Sequence, residues 1–163
     1  MLNAHLSSFL LGTELKVISM KQIPKGYLWE VAKTGSSSEC KHCGSTQVVR
    51  AGKCTSTVRE EPIRQTCLWL KIHKHRIHCK SCKRTFADAI DGVFFRRKTT
   101  QRFRKFIAQA CGKMSDLKTV CHFYGVSSGF VYSTYYEQLE VKLRERSHTL
   151  QWPEALGIDE HFF

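Results

Sequence analysis

Two Cys-x2-Cys pairs constrain this chain more than any other feature: Cys40-Lys41-His42-Cys43-Gly44 and Cys79-Lys80-Ser81-Cys82-Lys83. Each pair offers two thiolates from one tight turn. Two such turns brought together make a closed tetrahedral four-sulfur site, the arrangement of structural zinc, with no open position for chemistry. Thirty-five residues, 44–78, separate the pairs. That gap is longer than a simple finger needs, so it must hold its own small sheet. Residues 39–90 therefore read as a zinc ribbon with an inserted hairpin. The competing reading is a pair of redox motifs or disulfides. Gly44 behind the first pair and the basic residues around the second favour one zinc held by Cys40, Cys43, Cys79 and Cys82. A redox role also wants a low-pKa cysteine at a helix N-terminus, and neither pair has that setting. Four cysteines complete a tetrahedron, so His42, His73, His75 and His78 are assigned no metal. His78 is the nearest candidate if a histidine replaces a cysteine.

The charge balance indicates the partner. Lysine and arginine number 26 against 14 acidic residues, a formal charge of +12 in 163 residues. Such an excess implies a polyanion, most often nucleic acid, with a membrane surface as the bland competitor. No apolar run approaches the roughly 18 residues of a spanning helix. Met1 to Leu11 has no basic n-region ahead of its apolar residues, so no signal peptide is expected. The expected setting is the reducing cytoplasm, where thiolate metal sites are commoner than disulfides.

Along the chain, residues 1–38 read as a leading lobe: a weak helix over 3–11, then strands at 15–23 and 27–33 joined by a Pro24-Lys25-Gly26 turn. Residues 47–50 and 55–59 are short strand candidates, and Pro62 is expected to break the run. Residues 67–78 are the strongest strand, with Leu68, Leu70 and Ile72 on one face and Trp69, Lys71, His73 and His75 on the other. Lys71, Lys74, Arg76, Lys80, Lys83 and Arg84 give a first basic surface suited to a phosphate backbone.

Arg96, Arg97, Lys98, Arg102, Arg104 and Lys105 form the densest positive run and read as a phosphate-contacting arm rather than a merely solvated helix face. Residues 96–146 carry the helical signal. Thr99 or Thr100 caps a helix with Phe103, Phe106, Ile107, Ala110 and Cys111 on one stripe. Ser115 caps a second, with Leu117, Val120, Cys121 and Tyr124 inward. After Gly125-Val126-Ser127, Ser127 or Ser128 caps a third, with Val131, Tyr135 and Leu139 inward. Two helices joined by a short Gly-containing turn suggest a helix-turn-helix, against the alternative of an ordinary three-helix bundle. Ser127, Ser128, Phe130 and Tyr132 would then face bases in the major groove. They include no arginine for bidentate guanine readout. The long third helix is also the candidate surface for a homodimer.

The order of these parts resembles the N-terminal region of the ISL-three family of bacterial insertion-sequence transposases. The likeness rests on the hairpin, Cys-x2-Cys-Gly, the basic strand into the second Cys-x2-Cys, the Arg-rich segment, the helix-turn-helix, and Gly157-Ile158-Asp159-Glu160. It implies an α+β chain: β-hairpin and zinc ribbon, then a three-helix helix-turn-helix domain, then the first strand of a truncated ribonuclease-H-like domain at 155–163. It further implies that ribbon and helix-turn-helix recognise terminal inverted repeats on double-stranded DNA. Asp159 would be the first carboxylate of a DDE triad acting through two divalent metals. Asp159 and Glu160 point to opposite faces of a strand, so this chain alone is expected to have no strand-transfer activity. The rival from another class is an RNA-binding or ribosome-associated zinc-ribbon protein, with Trp69 and the His-Lys-His-Arg strand clamping single strands.

Overall fold

The computed structural model describes residues 14–114 and 116–147, and these form an α+β chain with a mixed sheet and three helices. The sheet is assembled on the strand whose alternation is clearest in the sequence. In chain order the elements are β1 (Leu15–Ile23), β2 (Gly26–Lys33), β3 (Val48–Ile63), β4 (Thr66–Cys79), β5 (Thr85–Ala87), α1 (Gln101–Cys111), α2 (Leu117–Tyr124) and α3 (Ser128–Ser147). Strand order is β1-β2-β4-β3. β3 runs antiparallel along one side of β4 from Val48↔Cys79 to Ile63↔Thr66. The other side of β4 takes β2, in parallel, over Leu68 to His73, and then β5 over Arg76 to His78. The leading hairpin therefore shares one sheet with the segment between the cysteine pairs.

Turn chemistry sets the registers. Gly26 ends the β1–β2 turn at φ 135°, and a Cβ there would lie 2.1 Å from the Cys67 carbonyl oxygen. No residue but glycine lets β2 come this close to β4. The β3–β4 hairpin turns on Arg64 and Gln65, both at positive φ (49° and 63°). A two-residue turn demands that conformation, although asparagine and glycine are its usual residues.

β4 changes its buried side along its length. Leu68, Leu70 and Ile72 are buried, in step; five residues past Ile72, Ile77 is buried, followed by Cys79. An odd offset puts the two sets on opposite faces of the strand. The first set joins Leu15, Trp29, Val31, Val58 and Ile90 in the main core. The second joins Cys40 and Phe86 in a small core beneath the cysteine turns.

One expectation is corrected here. The short strands at 47–50 and 55–59 are one strand of 16 residues, and Pro62 lies within it. The strand tolerates Pro62 because the register shifts between Glu60 and Ile63, where no ladder N–H is required. The arm is docked at its end by backbone bonds. Thr99 bridges Arg59 on the outer side of β3: Arg59 N–H donates to the Lys98 carbonyl (2.8 Å) and Thr100 N–H to the Arg59 carbonyl (2.9 Å).

The chain divides into compact units Met1–Gln109 and Ala110–Phe163, so most of α1 belongs with the sheet. In the first unit Phe103 and Ile107 are fully buried, and Thr100 caps α1 by accepting from Phe103 N–H (3.1 Å). In the second unit α2 packs on α3, with Val120 and Val131 fully buried. The cap of α2 is Asp116, not Ser115: its carboxylate accepts from Thr119 N–H at 2.7 Å. Asp is as good a cap as Ser, and its second oxygen also holds the Thr119 hydroxyl. Gly125 closes α2 in the left-handed conformation at φ 57°. On α3 the inward residues are Val131 and Thr134, whereas Tyr135 is exposed. No helix among the described residues is long and apolar enough to cross a membrane. The expected helix at 3–11 and the strand at 155–163, with Asp159, lie outside the described residues.

Candidate metal centre and basic surface

The two cysteine turns are built alike. Cys40 N–H donates to the Ser45 carbonyl (2.9 Å), and Cys79 N–H donates to the Arg84 carbonyl (3.0 Å), the same five-residue reach in each. The residue after the second cysteine of each pair, Gly44 or Lys83, is left-handed, at φ 71° and 58°. Only the glycine was legible as a turn signal; the lysine holds the same conformation at a cost of about 1 kcal/mol. Lys80 N–H to the Gln47 carbonyl (2.9 Å) and the Ser45–Ser81 hydroxyl pair (2.8 Å) tie the turns together. Ile77, Phe86 and the half-buried Val48 lie in the core beneath them.

The four sulfurs lie within 4.8 Å of one another, with Cys40–Cys82 at 3.6 Å and Cys43–Cys79 at 3.7 Å. A disulfide needs about 2.05 Å. Thiolates placed tetrahedrally around a metal at about 2.3 Å stand about 3.8 Å apart. The spacing therefore fits four ligands of one metal, and it is the one such cluster among the described residues.

The electrostatics agree. Burial raises the Cys40 thiol, but the N–H groups of His42 and Cys43 outweigh it and hold the thiol below its usual range. The Cys82 N–H leads in bringing Cys79 down to about 6. The Ser45 N–H lowers Cys43, yet burial and the three neighbouring thiols prevail and push it up to about 11. Backbone N–H groups favour the thiolate at Cys40 and Cys79, while crowding by the neighbouring sulfurs opposes it at Cys43, a repulsion that a bound cation would relieve.

No histidine ring among the described residues joins the cluster. His78 Nδ1 pairs with the Thr85 hydroxyl (3.0 Å), His42 lies edge-on to Phe86, and His73 faces Glu30 at 3.5 Å.

Around this centre the charge is one-sided. Residues 39–54 and 74–87 contain Lys41, Arg50, Lys53, Lys74, Arg76, Lys80, Lys83 and Arg84 against a single carboxylate, Glu39. All eight basic residues are exposed except Lys74, which is half-buried. Lys41, Arg50 and Lys53 were not anticipated: Arg50 and Lys53 flank Gly52 in a stretch whose strand pattern is weak.

The remaining basic residues fall into different surroundings. Lys71 pairs with Glu30 at 3.2 Å, and that pairing holds the Glu30 carboxyl below its usual range. Arg102 is bound to Glu60 through Nε (3.1 Å) and Nη2 (2.7 Å). Glu60, buried on β3, also accepts from the Thr100 hydroxyl (2.9 Å). Arg104 is itself buried. Arg102 and Arg104 thus serve the packing of α1, while Arg96, Arg97, Lys98 and Lys105 are exposed. Trp69 is half-buried with Arg59 over its ring at 5.8 Å, so it is not the open platform the sequence suggested. In the second unit Ser127 is spent as the cap of α3, accepting from Phe130 N–H (3.3 Å). Ser128 and Tyr132 are exposed, and Phe130 is half-buried.

Comparison with family models, with curated proteins and with solved structures returned no match. The functional reading therefore rests on the cysteine cluster and the charge around it.

Proposed function

We propose that this chain is a sequence-recognising module for double-stranded DNA, folded around one structural zinc. The observation that carries the reading is the excess of positive charge along the two segments that bear the cysteine turns: residues 39–54 and 74–87 hold eight basic residues against one carboxylate, Glu39. A phosphate backbone is the polyanion such a face complements. Zinc suits four thiolates in a closed tetrahedron, and its role is to hold the two turns. We read α2, the Gly125-Val126-Ser127 turn and α3 as a helix-turn-helix whose Ser128, Phe130 and Tyr132 approach base edges. The motif order further supports reading the chain as the N-terminal region of an ISL-three-like DDE transposase that binds terminal inverted repeats. In that reading the partner is duplex DNA, two copies acting together, and the chain binds rather than catalyses. The covering of Trp69 by Arg59 favours a duplex over the single-stranded RNA alternative.

Selection from random duplex DNA, with zinc-loaded protein and excess unlabelled RNA at physiological salt, tests this. Recovery of one defined motif is the expected result. Loss of all signal to RNA, or binding blind to sequence, would refute it. Lys80→Ala or Arg84→Ala should lower the log-log salt slope by about 0.9 each for every sequence. Ser128→Ala or Tyr132→Ala should change which sequence is preferred.

A further inference from the structure

The loop between Ile90 and α1 presents two phenylalanines to solvent. Phe95 is 83% exposed and Phe94 46%. Two adjacent exposed aromatic rings on a basic loop offer a surface for interaction, and three further observations define this one.

First, the loop is held from both sides. Gln101 N–H donates to the Gly92 carbonyl (2.7 Å), Val93 N–H to the Ile90 carbonyl (3.1 Å), and Lys98 and Thr100 are bonded to Arg59. Ile90 is buried in the main core. The rings therefore project from a fixed base.

Second, the tip is strained. Arg97 N–H closes a tight turn on the Phe94 carbonyl (3.2 Å), and Arg96 occupies its third position at φ 63°. Glycine or asparagine is usual there. An arginine kept in that conformation places Phe95 at the apex with a cation beside it.

Third, each ring carries a guanidinium, Arg97 over Phe94 and Arg96 over Phe95, both at 5.2 Å from the ring centroid. Lys98 follows directly.

We infer that Phe94 and Phe95 are a wedge that enters a base step of duplex DNA, with Arg96, Arg97 and Lys98 on the flanking phosphates. Apolar side chains that unstack a step between basic contacts are an established mode of groove binding. A membrane surface would also accept aromatic rings. In either setting the guanidiniums must swing off the ring faces; the choice of DNA, and with it this inference, rests on the duplex-DNA reading above, and the vesicle arm of the test separates the two.

The test uses the full chain and one labelled duplex, either fully paired or with a central mismatch, over a salt series. Opening a mismatched step costs least, so the wild type should prefer the mismatched duplex. Phe94→Ala/Phe95→Ala should abolish that preference. It should also weaken mismatched binding by roughly 5- to 150-fold, the range for one stacked base, with the salt slope unchanged. Arg96→Ala should do the converse, lowering the slope by about 0.9 and keeping the preference. Equal binding of both duplexes by wild type and by the double variant would overturn the wedge while leaving duplex binding intact. Binding of neither duplex would overturn the DNA reading itself. Loss of binding to phosphatidylserine vesicles in the double variant, with DNA binding unaltered, would reassign the rings to a membrane.

Discussion

Removing the metal should melt one end of the sheet and spare the other. The cysteine turns, residues 40–47 and 79–84, contain no apolar side chain except the cysteines. Fixing the backbone of each residue costs about 1–2 kcal/mol. Burial of Ile77 and Phe86 beneath them returns about 3–6 kcal/mol, and the backbone hydrogen bonds of the turns add about 1 kcal/mol each. The shortfall is on the order of 10 kcal/mol, which is what a structural zinc supplies, about 10–16 kcal/mol in small zinc-dependent folds. The main core is different. It lies on the opposite face of β4 and has Leu15, Trp29, Val31, Val58, Leu68, Leu70, Ile72 and Ile90 of its own. Amide hydrogen exchange resolves the two ends. On chelation, the amides of Cys40, Gly44, Cys79 and Lys80, all bonded within or between the turns, should lose protection by about a thousand-fold or more, roughly 4 kcal/mol of opening free energy. The ladder from Trp29↔Leu70 to Val31↔Ile72 should stay protected. If both regions lose protection together, the division of the fold at Ile72 and Ile77 is wrong. If neither does, the metal is not what holds the turns.

Three further outcomes follow from the same geometry. Glu60→Ala leaves Arg102 and Thr100 without their shared acceptor and should cost about 2–4 kcal/mol in urea denaturation, less than the roughly 3–5 kcal/mol for a fully buried pair because Arg102 is 42% exposed; a change under about 0.5 kcal/mol would contradict the assigned role. The neighbouring Glu61 has the opposite sign. Burial, then the charge of Glu60, raises its carboxyl, so its ionised form destabilises the fold above that raised pKa and the cost is relieved as pH falls through it. Glu61→Gln should therefore stabilise at neutral pH, by less than about 1 kcal/mol for so exposed a group, and the gain should vanish in acid; a gain that persists in acid would refute the cause. Arg96→Gly relieves the left-handed tip and should raise stability by about 0.5–1 kcal/mol while weakening DNA binding, readable by thermal melting and by titration of the same samples.

How much of this was legible in the sequence depended on range. The cysteine cluster was, because two short spacings carry it. Leu68, Leu70 and Ile72 were, because alternation is local. The switch of buried face was not: His73 to Arg76 are polar on both sides, so no periodicity marks where the pattern slips. Glu60 looked like one more surface carboxylate, and Arg102 like part of a phosphate-binding run, because what joins them is the docking of residues 98–102 across β3, 40 positions away. Phe94 and Phe95 were not legible, because exposure has no local signature. The cap of α2 was displaced by one residue, because Asp116, next to the expected Ser115, accepts from Thr119 N–H.

β3 lies at the end of the sheet, and among the described residues its outer side is bridged only at Arg59. A strand of 16 residues with open N–H and C=O groups is a template on which another copy can add by edge-to-edge pairing. Arg50 and Lys53, with the register shift between them, guard that rim, since a second copy would bring the same charges against them.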